Sequence, residues 1–156
     1  ENVEHLCCDR SYDLCLLAFG MNDGSGNLSG ADFAANLQKC MDAIQKTSPD
    51  CEFILVLPIY PNKLSAYDGY WQPGSLPENY DVSKVKISPV YGTHDEYPPA
   101  LYGMEKEHVA VANVGALHKY LLEHKAYIDM TGNNTNHPND FLARLYTQTL
   151  LAALGA

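Results

Sequence analysis

Two short apolar runs, Leu14-Cys15-Leu16-Leu17-Ala18-Phe19 and Phe53-Ile54-Leu55-Val56-Leu57, constrain the fold more than any other feature of the chain. Each is too short for a buried helix, and each stops at a turn signal. Gly20-Met21-Asn22-Asp23-Gly24 follows the first run and Pro58 the second. Nearly continuous runs of this length suit parallel strands covered on both faces. Between them Phe33, Leu37, Met41 and Ile44 recur at steps of three and four, which predicts an amphipathic helix. Ser29 stands at its cap, Asp32 in its first turn and Pro49 beyond its end. A strand, a crossover helix and a second strand of this kind form a parallel pair.

The rest of the chain continues the alternation. Val109 to Val114 reads as a third strand, and Leu117, Tyr120, Leu121 and His124 as a short helix. Tyr127-Ile128 begins another extended piece. After a polar loop from Thr131 to Asn136, Pro138 suits a first helical position. Leu142, Leu145, Tyr146, Thr149, Leu150 and Leu154 then mark one face of a closing helix. Asn22 to Gly30 reads as a Gly-, Asn- and Ser-rich loop. From Lys63 to Pro99 periodicity fails while Pro, Gly and Tyr accumulate, so an irregular surface excursion is expected there.

At 156 residues and 46% hydrophobic, the chain suffices for one globular domain with a real core. Its net charge of −9, with Lys and Arg scattered, argues against a nucleic acid partner. No apolar stretch reaches membrane-spanning length, and the first residues carry neither the basic start nor the apolar block of a signal peptide. A soluble protein with no membrane partner is expected. The five cysteines, Cys7, Cys8, Cys15, Cys40 and Cys51, are an odd number, and three fall in or beside apolar patterns. That favours a reduced compartment, hence a cytoplasmic location. Adjacent Cys7-Cys8 is not a zinc pair, and the six His do not share a helical face, so no metal is expected.

Two motifs carry chemistry. Gly20-x-Asn22-Asp23 places an amide side chain and a glycine at a strand end, and Asn136-His137-Pro138-Asn139-Asp140 places an imidazole before the last helix. In order and separation the pair resembles the third and fifth sequence blocks of the SGNH (GDSL-type) esterase family. The resemblance runs from Tyr12 to Leu154, with Pro58-Ile59-Tyr60-Pro61 as the strand end between the blocks. It implies a three-layer, flavodoxin-like parallel sheet with helices on both faces. It also implies hydrolysis of short acyl esters, acetyl groups on carbohydrate among them, through a serine acyl-enzyme with no cofactor. Such chemistry needs a nucleophile, a base and donors aimed at the developing oxyanion. By resemblance Asn22 is an oxyanion donor, Gly20 lets backbone approach closely, and His137 is the base. Imidazole suits that task because its unperturbed pKa lies near neutrality.

The chain departs from the family in two places. Where the family has an Asp three residues before the His, Asn134 stands here. An amide can hold the ring but brings no charge to the imidazolium, which leaves Asp129 or a backbone carbonyl as alternative orienting groups. The Gly-Asp-Ser nucleophile block is absent: Ser11 is the sole serine upstream of Asn22 and sits in Asp9-Arg10-Ser11-Tyr12. Ser25, Ser29 and Ser65 lack a Gly-x-Ser-x-Gly elbow. The chain therefore resembles the C-terminal portion of such a hydrolase, without its first βαβ unit of roughly 30 residues or more. Loss of that unit would expose an apolar sheet edge, for which association or replacement of the strand is expected. Tyr60, Tyr70 and Trp71, beside or within the excursion, are candidates to contact an acyl or sugar group. The other class open at this point is a hydrolase-like fragment without catalysis, acting as a binding module.

Overall fold

The computed structural model describes residues 10–61, 92–133 and 136–155. Strands β1 (Leu14–Ala18), β2 (Glu52–Leu57) and β3 (Val109–Asn113) form a parallel sheet in the order β1-β2-β3. Leu17 pairs with Leu55, and Leu55 with Val111, so one register runs through the middle of the sheet. The helices are α1 (Met21–Ser25), α2 (Gly30–Gln45), α3 (Tyr97–Tyr102), α4 (Val114–Leu121) and α5 (Asp140–Ala153), with 3-10 turns at His94–Glu96 and Tyr127–Asp129.

Alternate side chains of the central strand feed two cores, as the period of a strand requires. Phe53, Leu55 and Leu57 face α2 and α3, where Phe33, Leu37, Met41, Ile44, Tyr97 and Leu101 are buried. Ile54 and Val56 face the opposite layer, with Val114 from α4 and Leu142 from α5. The result is the expected three-layer α/β arrangement. Helix α2 buries the four residues that its spacing predicted, and the Ser29 side chain accepts a hydrogen bond from the Asp32 amide.

Several local expectations are corrected. Asn22 to Gly30 is not wholly a loop, because α1 forms within it: Gly20 takes φ +115°, and the Asp23 carboxylate accepts the Gly20 N–H at 3.1 Å. Of the excursion, residues 62–91 lie outside the described residues. Its end is ordered as the His94–Glu96 turn and α3, whose first turn accommodates Pro98 and Pro99. Tyr127–Asp129 is a 3-10 turn rather than extended chain, since Asp129 and Met130 donate to the Ala126 and Tyr127 carbonyls. Helix α5 starts at Asp140, because the Asn139 side chain caps the Leu142 amide; Pro138 lies before the cap and pairs with Thr131.

Strand β1 departs most from expectation, being covered on one face instead of two. Cys15 and Leu17 pack on the α2 side, whereas Leu14 and Leu16 are 37% and 46% exposed. Helix α5 packs over β3 and β2, on the same face as Leu14 and Leu16, and β1 is an edge of the described sheet. Leu14 and Leu16 thus lie exposed on a face of the strand that borders the described sheet.

Beyond the carboxyl end of β2, His118 of α4 is completely buried, and its Nδ1 accepts the Tyr60 N–H at 3.3 Å. Burial pushes its pKa down from 6.5 to about 4. The unfolded chain therefore binds a proton on this imidazole at a higher pH than the folded one does. Stability associated with neutral His118 is fully present above pH 6.5 and is lost as pH falls toward 4, by about 3 kcal/mol. Urea unfolding at pH 7.5 and pH 4 should show this loss in the wild-type chain and a smaller one in His118→Gln. Equal losses in both would contradict the assignment.

Candidate active site

The carboxyl ends of the parallel strands gather the candidate groups, as expected where an open α/β sheet places a site. Just past β1, Gly20, Met21, Asn22 and Asp23 line a cleft of about 260 Å³ with Ala18, Phe19, Val56, Pro58 and Tyr146. Asn22 is exposed, and its side-chain amide has no hydrogen-bond partner among the described residues. An amide at a strand end whose donors no described residue engages suits a charge that develops only during reaction. The Gly20 N–H, in contrast, is already engaged by Asp23.

The position of Asn22 is enforced from the far side of α1. His94, 5% exposed, directs Nε2 to the Met21 carbonyl at 3.0 Å, so this nitrogen carries the proton. A Cβ on Gly24 would come within 2.6 Å of the His94 ring, so glycine is required for the helix to lie against it. A Cβ on Gly20 would crowd Phe33 at 3.2 Å and Tyr97 at 3.3 Å, on top of its left-handed φ. Phe33 and Tyr97 are themselves stacked, with centroids 4.1 Å apart. Glu96 then accepts the Gly30 N–H at 2.8 Å at the start of α2.

The second candidate group stands on the loop that enters α5. Gly132 donates to the His137 carbonyl at 2.9 Å, and Thr131 and Pro138 pair as an antiparallel bridge. His137 is exposed, and its ring has no hydrogen-bond or ion-pair partner among the described residues. The other described histidines are engaged: His94 on Met21, His118 on Tyr60, His108 on Glu52 at 3.3 Å, and His124 against Tyr120. His108 moreover precedes β3 at the amino ends of the strands, away from the cleft.

Not all predicted site residues come together. Gly20 and Asn22 line the cleft, whereas His137 is not among its lining residues. Asn134, Tyr70 and Trp71 lie outside the described residues, as does Ser65. Asp129 is exposed, its carbonyl accepting from Asn139, and no described contact joins its carboxylate to His137. Tyr60 is buried at 7% exposure, away from the cleft wall; burial first, and then the Asp95 carboxylate to which it hydrogen-bonds, push its pKa up to about 12. Of the serines, Ser25 donates to the Met21 carbonyl at 2.9 Å, and Ser29 donates to Asp32 at 2.7 Å. Ser11 precedes β1, at the opposite end of the sheet from Asn22. No described serine hydrogen-bonds His137.

Tyr146 and His94 are the residues that sequence reasoning missed. Tyr146 reads as one more apolar position of the closing helix, yet its hydroxyl accepts the Ile59 N–H at 3.0 Å and it walls the cleft. Burial raises its pKa, so it remains a neutral phenol with a proton to donate. His94 sits at the end of the aperiodic stretch, where no pattern marks it.

Among the described residues no three His, Cys, Asp or Glu side chains are gathered as a metal centre would require. No helix there is long and apolar enough to cross a membrane.

No protein-family model and no curated protein matches the chain. Solved structures do. A carbohydrate esterase family 3 protein from Talaromyces cellulolyticus superposes with a TM-score of 0.60 at 13% identity, over 97% of this chain and 59% of its own. The salicylyl-acyltransferase SsfX3 from a tetracycline biosynthetic pathway superposes with a TM-score of 0.57 at 17% identity, over 98% of this chain and 41% of its own. The chain thus spans less than two thirds of either neighbour. At these identities the likeness is one of architecture: this chain has the α/β fold of esterase- and acyltransferase-like proteins.

Proposed function

We propose that this chain is the oxyanion-and-base portion of an SGNH-type serine ester hydrolase acting on short acyl esters, carbohydrate acetates among them. Asn22 donates its amide to the oxyanion of the tetrahedral intermediate. His137 takes the proton of the attacking hydroxyl and returns it to the leaving alcohol. The observation that carries this reading is the Asn22 amide on the cleft at the carboxyl end of β1, without a hydrogen-bond partner among the described residues. The attacking serine enters with a strand that pairs with the open edge of β1, from a further part of the same protein or from another chain. Such a strand would end beside Asn22, and a helix following it would cover Leu14 and Leu16. Support for this comes from the apolar exposure on that face and from the neighbours, which extend well beyond the matched region.

The test is hydrolysis of p-nitrophenyl acetate and of an acetylated oligosaccharide by the native gene product that contains this chain. Asn22→Ala should lower kcat about 100-fold or more, with KM changed little, because the lost donor acts on the transition state. Unchanged kcat in a folded variant would remove Asn22 from the mechanism. A second reading, a binding module without catalysis, is favoured by one observation: no described serine contacts His137. Substrate analogue binding by a native gene product that shows no turnover would establish it.

A further inference from the structure

We infer that Asn133 is the positioning residue for His137, an inference that rests on the reading of His137 as the base. Asn133 is 8% exposed, although Gly132 before it and His137 after it are exposed. Its Oδ1 accepts two backbone donors, the Asn136 N–H at 3.0 Å and the His137 N–H at 2.9 Å. Its Nδ2 donates to Asn136 Oδ1 at 3.1 Å. A single buried amide thus bonds to Asn136 through both its oxygen and its nitrogen, and to the His137 N–H.

The consequence falls on the backbone that carries the imidazole. The His137 N–H is held by Asn133 and its carbonyl by the Gly132 amide, so both polar groups of that residue's main chain are fixed. The strip behind it is anchored in turn. Asn139 donates to the Met130 carbonyl at 3.1 Å, and Thr131 donates to Tyr127 at 3.0 Å, whose hydroxyl reaches the Tyr60 carbonyl at 2.9 Å. Tyr60 lies just beyond the end of β2, so the loop is referenced to the sheet that also places Asn22. An exposed ring with no described partner of its own depends on its backbone for direction. Misplacement of a catalytic group by about 1 Å costs on the order of 100-fold in rate.

The chemistry of the side chain decides which substitutions discriminate. Alanine removes both acceptor contacts and the donor. Aspartate keeps an acceptor for both N–H groups but loses the donor to Asn136, and it adds a negative charge near the imidazole that favours the protonated ring. The experiment uses the native gene product with p-nitrophenyl acetate, together with amide hydrogen exchange of Asn136 and His137. Asn133→Ala should speed exchange of both amides and lower kcat by about 10- to 100-fold with KM within about twofold. Asn133→Asp should restore slow exchange and most of kcat, and should move the acid limb of the kcat profile to higher pH. A purely structural role would not move that limb. His137→Ala run alongside separates the two readings. Full turnover in that variant overturns the base assignment and this inference with it. An inactive His137→Ala beside an Asn133→Ala of wild-type kcat overturns this inference alone.

Discussion

Replacing His137 by alanine in the native gene product should lower kcat for a short acyl ester by about 1000-fold, or ~4 kcal/mol of transition-state stabilisation. The expectation follows from what the other described histidines are already doing. His94 clamps the helix that carries Asn22, His118 accepts the Tyr60 amide inside the core, and His108 pairs with Glu52 at the wrong end of the sheet. His137 stands on a loop whose backbone is fixed while its ring is left without a described partner. His108→Ala is the matched control and should leave turnover unchanged. Equal rates for the two variants would mean that the base is elsewhere.

The largest expected effect on stability comes from Leu55→Ala. Leu55 is completely buried at the centre of the sheet, between Leu17 and Val111, against the layer that holds Phe33 and Tyr97. Truncating such a side chain removes its transfer free energy and leaves a cavity, a loss of about 3 kcal/mol. Against a total stability of about 5–15 kcal/mol that is a large share, readable as a lowered urea midpoint with an unchanged slope. Leu16→Ala supplies the contrast. At 46% exposure on the bare face of β1 it should cost less than about 1 kcal/mol in this chain. In the native gene product it should cost more, because the proposed strand and helix would bury it. A Leu16→Ala cost identical in both would argue against cover on that face.

The layered α/β arrangement was legible because the physics behind it is local. The runs ending at Phe19 and Leu57 are the length of strands, and Phe33, Leu37, Met41 and Ile44 keep helical spacing, so one period selects each element. Expectations failed where tertiary contacts override local pattern. Helix α1 forms in a Gly- and Asn-rich segment because Asp23 caps it and His94 backs it. Tyr127 turns instead of extending because its ring packs edge-on against His118 and its hydroxyl donates to the Tyr60 carbonyl. The uncovered face of β1 is invisible to composition, since a run that suits burial on both sides reads alike whether or not the second layer is present. Of the candidate site, Gly20, Asn22 and His137 were recognisable as motifs, whereas Asn133, His94 and Tyr146 act through contacts distant in sequence or through a loop geometry that no residue pattern announces.

In the proposed function Asn22 and His137 supply the oxyanion donor and the base, and the attacking serine enters from outside this chain. A serine-directed fluorophosphonate followed by intact mass measurement addresses it directly. This chain by itself should remain unmodified and should not turn over p-nitrophenyl acetate, whereas this chain together with the segment or second chain proposed to supply the serine should gain one adduct, on that serine. Stoichiometric labelling of any serine within the chain, accompanied by turnover, would contradict the account.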